Sequence, residues 1–433
     1  MSISRRGFLA TTAATGATLI APAVHGSEKT TKKYRTALIG SGWWGMNIFR
    51  VALQSGECEP VAMCDVDRNQ LDSAAEEVEK LTGTAPKKYG DFRELLDEQK
   101  PEIVIVGTPD HWHALIAIAA CNAGAHVYVE KPICHTILEG TAMVKAARDN
   151  DRVVQVGTHR RASPHNISAM EFLKSGKLGK IGMVRAFVHY GGGEGRPTPD
   201  SDPPEGLDWD MWCGPAPLRP FNKRMHPKGF RRFLDYANGQ LGDWGIHWLD
   251  QILWWTDEKF PRQVGSVGGR HINQDNTDVP DTQVVNFEFE SFTATWEHRW
   301  YAANNAEKHN VGCYFYGTAG MLHLGWLDGW TFYPVNKNQP PVHVEPQLHA
   351  PDQQNIPELF ADFLSCIKTG KRPICDIAIG HRSTTMSLLG MLSLKLGRSV
   401  RWDGENEVIE DDADANKLLR RDYRAPWKYP EIA

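Results

Sequence analysis

The chain has 433 residues, 41% hydrophobic and 23% charged, which is ordinary for a soluble globular protein and long enough for two domains. Its formal net charge of -5 and the lack of a long basic block argue against a nucleic-acid-binding protein. Eight cysteines without a Cys-x-x-Cys pair argue against a zinc ribbon or thioredoxin-type centre and predict no particular disulfide.

The amino terminus reads Ser4-Arg5-Arg6-Gly7-Phe8-Leu9. Two arginines make a basic start, Ala10–Ile20 an apolar run, and Ala21-Pro22-Ala23 a cleavage site. The run is shorter than the roughly 20 residues of a membrane-spanning helix, so no stable span is expected. The pattern resembles a twin-arginine export signal. It implies the twin-arginine export machinery as a partner and a periplasmic or otherwise exported location. Residues 1–31 are read as this leader.

From Tyr34, buried Val/Ile runs alternate with helical stretches. "RTALIGSG", "EPVAMCDVD", "EIVIVGTPD", "HVYVEKP" and "RVVQVGTHR" read as strands, with a further short strand at "KKYG". Amphipathic helices fall between them. That rhythm predicts a doubly wound parallel sheet of the Rossmann type over residues 32–160. Residues 161–433 read as an α+β domain for substrate binding and oligomerisation. A Gly/Pro-rich stretch from Gly191 to Pro220 suggests an ordered loop over a site. Alternating runs such as "QVVNFEFESFTATWEHRW" predict a mostly antiparallel open sheet. Terminal helices over "IPELFADFLSCIKTG" and "GHRSTTMSLLGMLSLKLG" are expected to pack back on the first domain.

Gly40-Ser41-Gly42-Trp43-Trp44-Gly45 follows a strand and opens a helix, the context in which G-x-G-x-x-G binds a dinucleotide. The turn lets the backbone approach a pyrophosphate, and the helix N-terminus offers it N–H groups. Asp65 ends the second strand, where an acid meets ribose hydroxyls and favours NAD. A competing reading makes Asp65 the cap of the next helix. Arg68 nearby leaves NADP open.

Further chemistry gathers at strand ends. "Gly107-Thr108-Pro109-Asp110-His111-Trp112-His113" closes the fourth strand and "Glu130-Lys131-Pro132" the fifth. "GQLGDWGIHWLDQILWW" sets Asp243, His247 and Asp250 on one helical face. Asp250 reads as an ordinary residue outside the chemistry. Without another ligand cluster, no metal is expected. Arg160 and Arg161 end the sixth strand and offer a hydrogen bond to a sugar hydroxyl or acid, or a surface salt bridge. Trp209, Trp212 and Trp244 are candidates for stacking on a sugar ring.

Together the glycine motif, "TPDHWHA", "VEKP" and "GDWGIHWLD" resemble the glucose–fructose oxidoreductase / inositol dehydrogenase / MocA family in order and spacing. The resemblance runs from about Tyr34 to the end. It implies that Lys131 is the catalytic lysine and that Asp243 and His247 are the second-motif acid and histidine. Thr108, Pro109 and His113 then pass the cofactor, with Glu130 and Lys131 against it. Lys131 and His247 then face the substrate, joined by Trp244, Arg160 and Arg161 from the reading of the residues above. The expected reaction is hydride transfer between a sugar or polyol carbinol carbon and tightly bound nicotinamide, with His247 as base, Asp243 steadying it and Lys131 polarising the oxygen. The family's second sheet often makes subunit contacts, which implies a homodimer or homotetramer.

Two other readings stand beside this one. The first is a redox-neutral, NAD-dependent glycoside hydrolase. The exported N-acetylgalactosaminidases of the superfamily tend to replace the motif lysine, and Lys131 is retained here. The second is a non-catalytic sugar-binding protein.

Overall fold

Six short runs, several of them apolar throughout, build the first sheet, and the computed structural model describes residues 32–303, 307–349 and 354–431. The arginine-containing leader lies outside the described residues. The strands are β1 (Tyr34–Ile39), β2 (Cys58–Cys64), β3 (Lys87–Tyr89), β4 (Ile103–Val106), β5 (His126–Val129) and β6 (Val154–Val156). They pair in parallel in the order β3-β2-β1-β4-β5-β6. Every residue of β4 is buried, as a parallel strand covered on both faces must be. Helices α1 (Trp43–Gln54), α2 (Arg68–Thr82), α3 (Phe92–Gln99), α4 (Asp110–Asn122) and α5 (Ile137–Asp149) make the crossovers. The strand order reverses between β1 and β4. That switch point opens a crevice at the carboxyl ends of the strands, the usual ligand edge of such a sheet.

After α6 (Pro164–Lys174) the chain builds a second sheet from β7 (Ile181–His189), β8 (Gln263–Gly269), β9 (Thr282–Glu288), β10 (Thr293–Arg299), β11 (Val311–Gly317), β12 (Gly320–Gly325), β13 (Trp330–Pro334), β14 (Val342–Val344), β15 (Val400–Asp403) and β16 (Val408–Ile409). Their order is β14-β13-β12-β11-β7-β10-β9-β8-β15-β16. Among the described residues only β7 and β10 pair in parallel in this sheet, so it is mostly antiparallel as expected. The exception has a cause. A long excursion carries the chain away after β7, through α7 (Trp209–Cys213) and α8 (Ile246–Trp255), so no hairpin can form there. β9 alternates buried and exposed residues: its inner face is covered, while Val284 and its cross-strand partner Val267 are exposed on the outer one, as is Met183 on β7. Helices α9 (Ile356–Thr369) and α10 (Ile377–Leu396) pack against α1 and α5 respectively. The eight cysteines are all buried and unbridged.

The excursion has its own apolar core. Trp209 and Trp212 stack with centroids 4.5 Å apart, and Phe221, Phe230, Phe233 and Tyr236 surround them. Trp209 is therefore a core residue rather than a sugar-stacking surface. The carboxyl-terminal segment after α11 (Ala413–Lys417) straps this loop down. Arg424 pairs with Asp210 at 2.6 Å, Tyr423 donates to Glu139 at 2.7 Å, and Trp427 packs on Phe92 and Trp112.

Arg161 and Asp250 depart from their sequence readings. Arg161 Nε meets Asp250 Oδ2 at 2.8 Å, and Ser383 donates to the other carboxylate oxygen at 2.6 Å. Both partners are almost fully buried, so Arg161 ties the end of β6 to α8 and does not face substrate. Asp250→Ala would leave the guanidinium buried without its acid. We expect a loss of about 3–5 kcal/mol of stability, read as a lower urea midpoint, with cofactor content per folded molecule retained.

Candidate active site

A cavity of about 450 Å³ follows the carboxyl edge of the first sheet. At one end lies the glycine turn. Gly40 has φ of 91°, and a Cβ there would sit 2.7 Å from the backbone of Gly107 and Thr108. A Cβ on Gly45 would lie 2.0 Å from the Gly40 carbonyl oxygen. These two glycines let β1, α1 and the end of β4 pack closely, and Gly45 does not itself line the cavity. Gly42 does; its nearest neighbour at the Cβ position is the Gln70 side chain at 3.4 Å. Gly42 caps α1 without any side-chain hydrogen bond. The first amides of α1 are thus left for an anion, as a pyrophosphate requires. Trp43 and Trp44 line the same stretch.

Asp65 stands beside this turn. Its Oδ2 accepts from the Ser41 amide at 2.7 Å and hydroxyl at 3.0 Å, and burial pushes its carboxyl up from the ordinary value. The cap of α2 is Asp67, which accepts from the amides of Asn69 and Gln70 and pairs with His226 at 2.8 Å. Asp65 is therefore free of the capping role and lines the cavity where a ribose would lie. Arg68 is exposed and outside the lining.

At the other end Lys131, Asp243 and His247 converge. Lys131 Nζ donates to Asp243 Oδ1 and to its main-chain oxygen, both at 2.8 Å. Arg231 Nε reaches the same carboxylate oxygen at 3.3 Å. Burial raises the Asp243 carboxyl, but Lys131 and Arg231 outweigh it and hold the group below its ordinary value. The partner of Asp243 is thus Lys131 and not His247. The helix widens into a π turn over Leu241–Gly245 before α8 begins, which alters the regular four-residue spacing of the two side chains. His247 Nδ1 is buried without a hydrogen-bond partner among the described residues. Burial, Lys131 and Arg160 drive its pKa well below 6.5, so the imidazole is neutral.

Thr108, Pro109, His113 and Glu130 all line the cavity. His113 lies between two carbonyl oxygens, Pro132 at 2.8 Å and Thr108 at 2.7 Å, and burial pushes it down to about 4. The neutral ring donates to one of them and fixes the wall between β4 and β5. Glu130 accepts from the Lys131 amide at 3.2 Å, and burial raises its carboxyl. Trp244 and Trp212 reach the cavity as well.

Arg160 does not line the cavity. Its guanidinium lies 3.7 Å behind the ring of Trp326, fully buried and without a hydrogen-bond partner among the described residues. Burial lowers it to about 9. Trp326, which the sequence did not single out, takes its place on the wall, 4.9 Å from the His247 ring and 4.8 Å from Trp244. It sits between β12 and β13, and no periodicity marks it. Asp110 was also missed. It starts α4 inside the cavity, and burial, against the opposing pull of Arg231, raises its carboxyl to about 7.

Comparison with known proteins shows the family. Residues 34–158 match the NAD-binding Rossmann fold of the GFO/IDH/MocA oxidoreductase family, and residues 183–429 match that family's C-terminal alpha/beta domain. The chain belongs to this family of nicotinamide-dependent oxidoreductases. Inositol 2-dehydrogenase of Salmonella typhimurium is 28% identical over 158 residues, 36% of this chain and 46% of that protein. A glycosyl hydrolase family 109 protein of Stenotrophomonas maltophilia is 34% identical over 135 residues, 30% of each chain. The chain thus spans less than half the length of these curated relatives. A levoglucosan dehydrogenase solved with NADH and levoglucosan has the same fold, with a TM-score of 0.67 at 19% identity over 86% of this chain and 99% of that one.

Asp110 carries a pH prediction. Its folded pKa of about 7 lies above the ordinary 3.8, so folding favours the protonated acid. That contribution is complete below the ordinary value and is lost as pH rises through the folded one. Asp110→Asn removes it. Thermal melts of wild type and variant should therefore diverge in the variant's favour between pH 4 and about pH 7, and a difference independent of pH would contradict the assignment.

Proposed function

We propose that this protein is an exported oxidoreductase that moves a hydride between a sugar or polyol carbinol carbon and a tightly held NAD. One observation carries the reading: an ammonium and a neutral imidazole share a single cavity with a glycine turn that fits a dinucleotide. When bound, the nicotinamide takes up or returns the hydride. Lys131, held by Asp243, donates a hydrogen bond to the substrate oxygen and stabilises negative charge forming there. His247 accepts the hydroxyl proton. Asp243 acts through Lys131, fixing its position and its charge. Trp326 and Trp244 provide apolar walls for a sugar ring.

Export is supported by the Ser-Arg-Arg-Gly-Phe-Leu leader. A folded-protein route suits a chain that leaves with its cofactor inserted, because no nicotinamide pool awaits it outside. The apolar residues on the outer face of the second sheet support a homodimer or homotetramer. A redox-neutral glycosidase is the second reading, favoured by the likeness to the Stenotrophomonas protein. Retention of Lys131 favours net oxidoreduction.

Purified exported protein should carry NAD, and a panel of polyols, free sugars and glycosides should reduce it. Release of aglycone without accumulated NADH would select the second reading. Lys131→Ala should lower turnover about 10²–10³-fold while bound NAD stays near wild type, as measured by stopped-flow reduction and cofactor extraction. The depressed pKa of His247 places the acidic limb of kcat/KM below the ordinary histidine value of 6.5; a limb at or above it would exclude His247 as the base.

A further inference from the structure

Within this acidic chain, Lys223, Arg224, Lys228, Arg231 and Arg232 fall in one ten-residue stretch. They belong to the excursion that covers the site. Two of the arginines are matched by acids: Arg224 meets Asp275, and Arg231 meets Asp243, each at 3.3 Å. Lys228 and Arg232 make no ion pair among the described residues. Lys228 Nζ stands 4.6 Å from the centre of the Trp43 ring, and the Arg232 guanidinium 4.2 Å from that of Trp300.

Of these groups Lys228, Arg231, Arg232 and Trp300 line a second cavity of about 140 Å³. It shares Lys228, Arg231 and Asp243 with the main cavity, so the two adjoin at the catalytic end. Arg232, Gln240 and Asn273 add polar groups, and Trp300 adds an aromatic wall. Gln240 is only 8% exposed, and its side-chain amide makes no hydrogen bond among the described residues. The one acid in the lining, Asp243, is already held by Lys131 and Arg231. The charge left over is positive. A guanidinium without an ion pair, beside the amide of a largely buried glutamine, is a poor surface for a neutral hydrocarbon and a good one for an oxyanion.

Resting on the oxidoreductase reading above, we propose that this side cavity is a subsite for the acidic group of an anionic sugar, a carboxylate or a sulfate ester. Arg232 and Lys228 supply charge, Gln240 and Asn273 hydrogen bonds, and Trp300 a stacking wall, while the carbinol reaches Lys131 and His247 next door. Asp243 belongs to both cavities, so sugar binding and catalysis meet at one carboxylate.

The test compares matched pairs on NAD-loaded protein: glucuronate, galacturonate and mannuronate against glucose, galactose and mannose, with the hexose 6-sulfates as a third arm. Nicotinamide reduction gives kcat and KM, and calorimetry gives binding independently of turnover. We expect at least one acid to exceed its neutral partner by about tenfold or more in kcat/KM, carried by KM. Arg232→Gln should erase the preference by raising KM for the acid, and Arg232→Lys should restore part of it. Higher salt should shrink it in wild type, which decides the matter if the variants do not fold. Preference for the sulfates over the uronates would identify the anion as a sulfate ester. Neutral sugars equal to or better than both anionic arms, or a preference that survives Arg232→Gln, would overturn the proposal. If no sugar reduces the cofactor, the oxidoreductase reading fails instead. Calorimetric preference for the anion then still decides the subsite.

Discussion

The contact between Lys131 and Asp243 joins the two halves of the molecule at the point where they must agree. Lys131 leaves the end of β5, and Asp243 rides on the widened turn before α8. Their side chains are 13% and 23% exposed, so water screens the pair poorly, and neither charge is cheaply left alone. The lysine also takes the main-chain oxygen of Asp243, which fixes its direction as well as its distance. Arg231 shares the carboxylate and so brings the basic loop to the same place. Displacing the first sheet against the excursion would break both Lys131 contacts at once.

Much of this was legible in the sequence because local physics decided it. Unbroken Val/Ile runs between amphipathic helices can only be parallel strands covered on both faces, and the first sheet follows. The glycine turn was readable from its place between strand and helix. Its division of labour was not: Gly45 serves close packing alone, Gly42 faces the cavity and Gly40 does both, a distinction that depends on the end of β4 passing within van der Waals distance. Asp65 had a rival reading as a helix cap, and only the position of Asp67, two residues on, removes it.

Residues governed by tertiary contact were beyond pattern reading. Asp243 and His247 suggested a pair on regular helical spacing, whereas a π turn sends the acid to Lys131. Arg161 and Asp250 are 89 residues apart and carry no motif that announces their pairing. Trp326 comes from a loop without periodicity. The basic stretch from Lys223 to Arg232 did leave a signal, a local excess of positive charge in a chain of net charge -5, but its meaning depends on the adjoining cavity.

The electrostatics around the site follow from this assembly. Lys131, Arg231 and Lys228 line the cavity with Arg160 buried behind Trp326, and burial raises the carboxyls of both Glu130 and Asp110. Burial first, and the neighbouring cations second, keep His247 and His159 neutral, their ring centres 5.3 Å apart. A neutral imidazole beside an ammonium is the protonation state in which one group can accept a proton while the other holds the oxygen it leaves. The excursion that closes over this field has a core of stacked indoles and is strapped by the carboxyl-terminal segment through Arg424 and Trp427. A cover with its own core opens less readily than a bare loop.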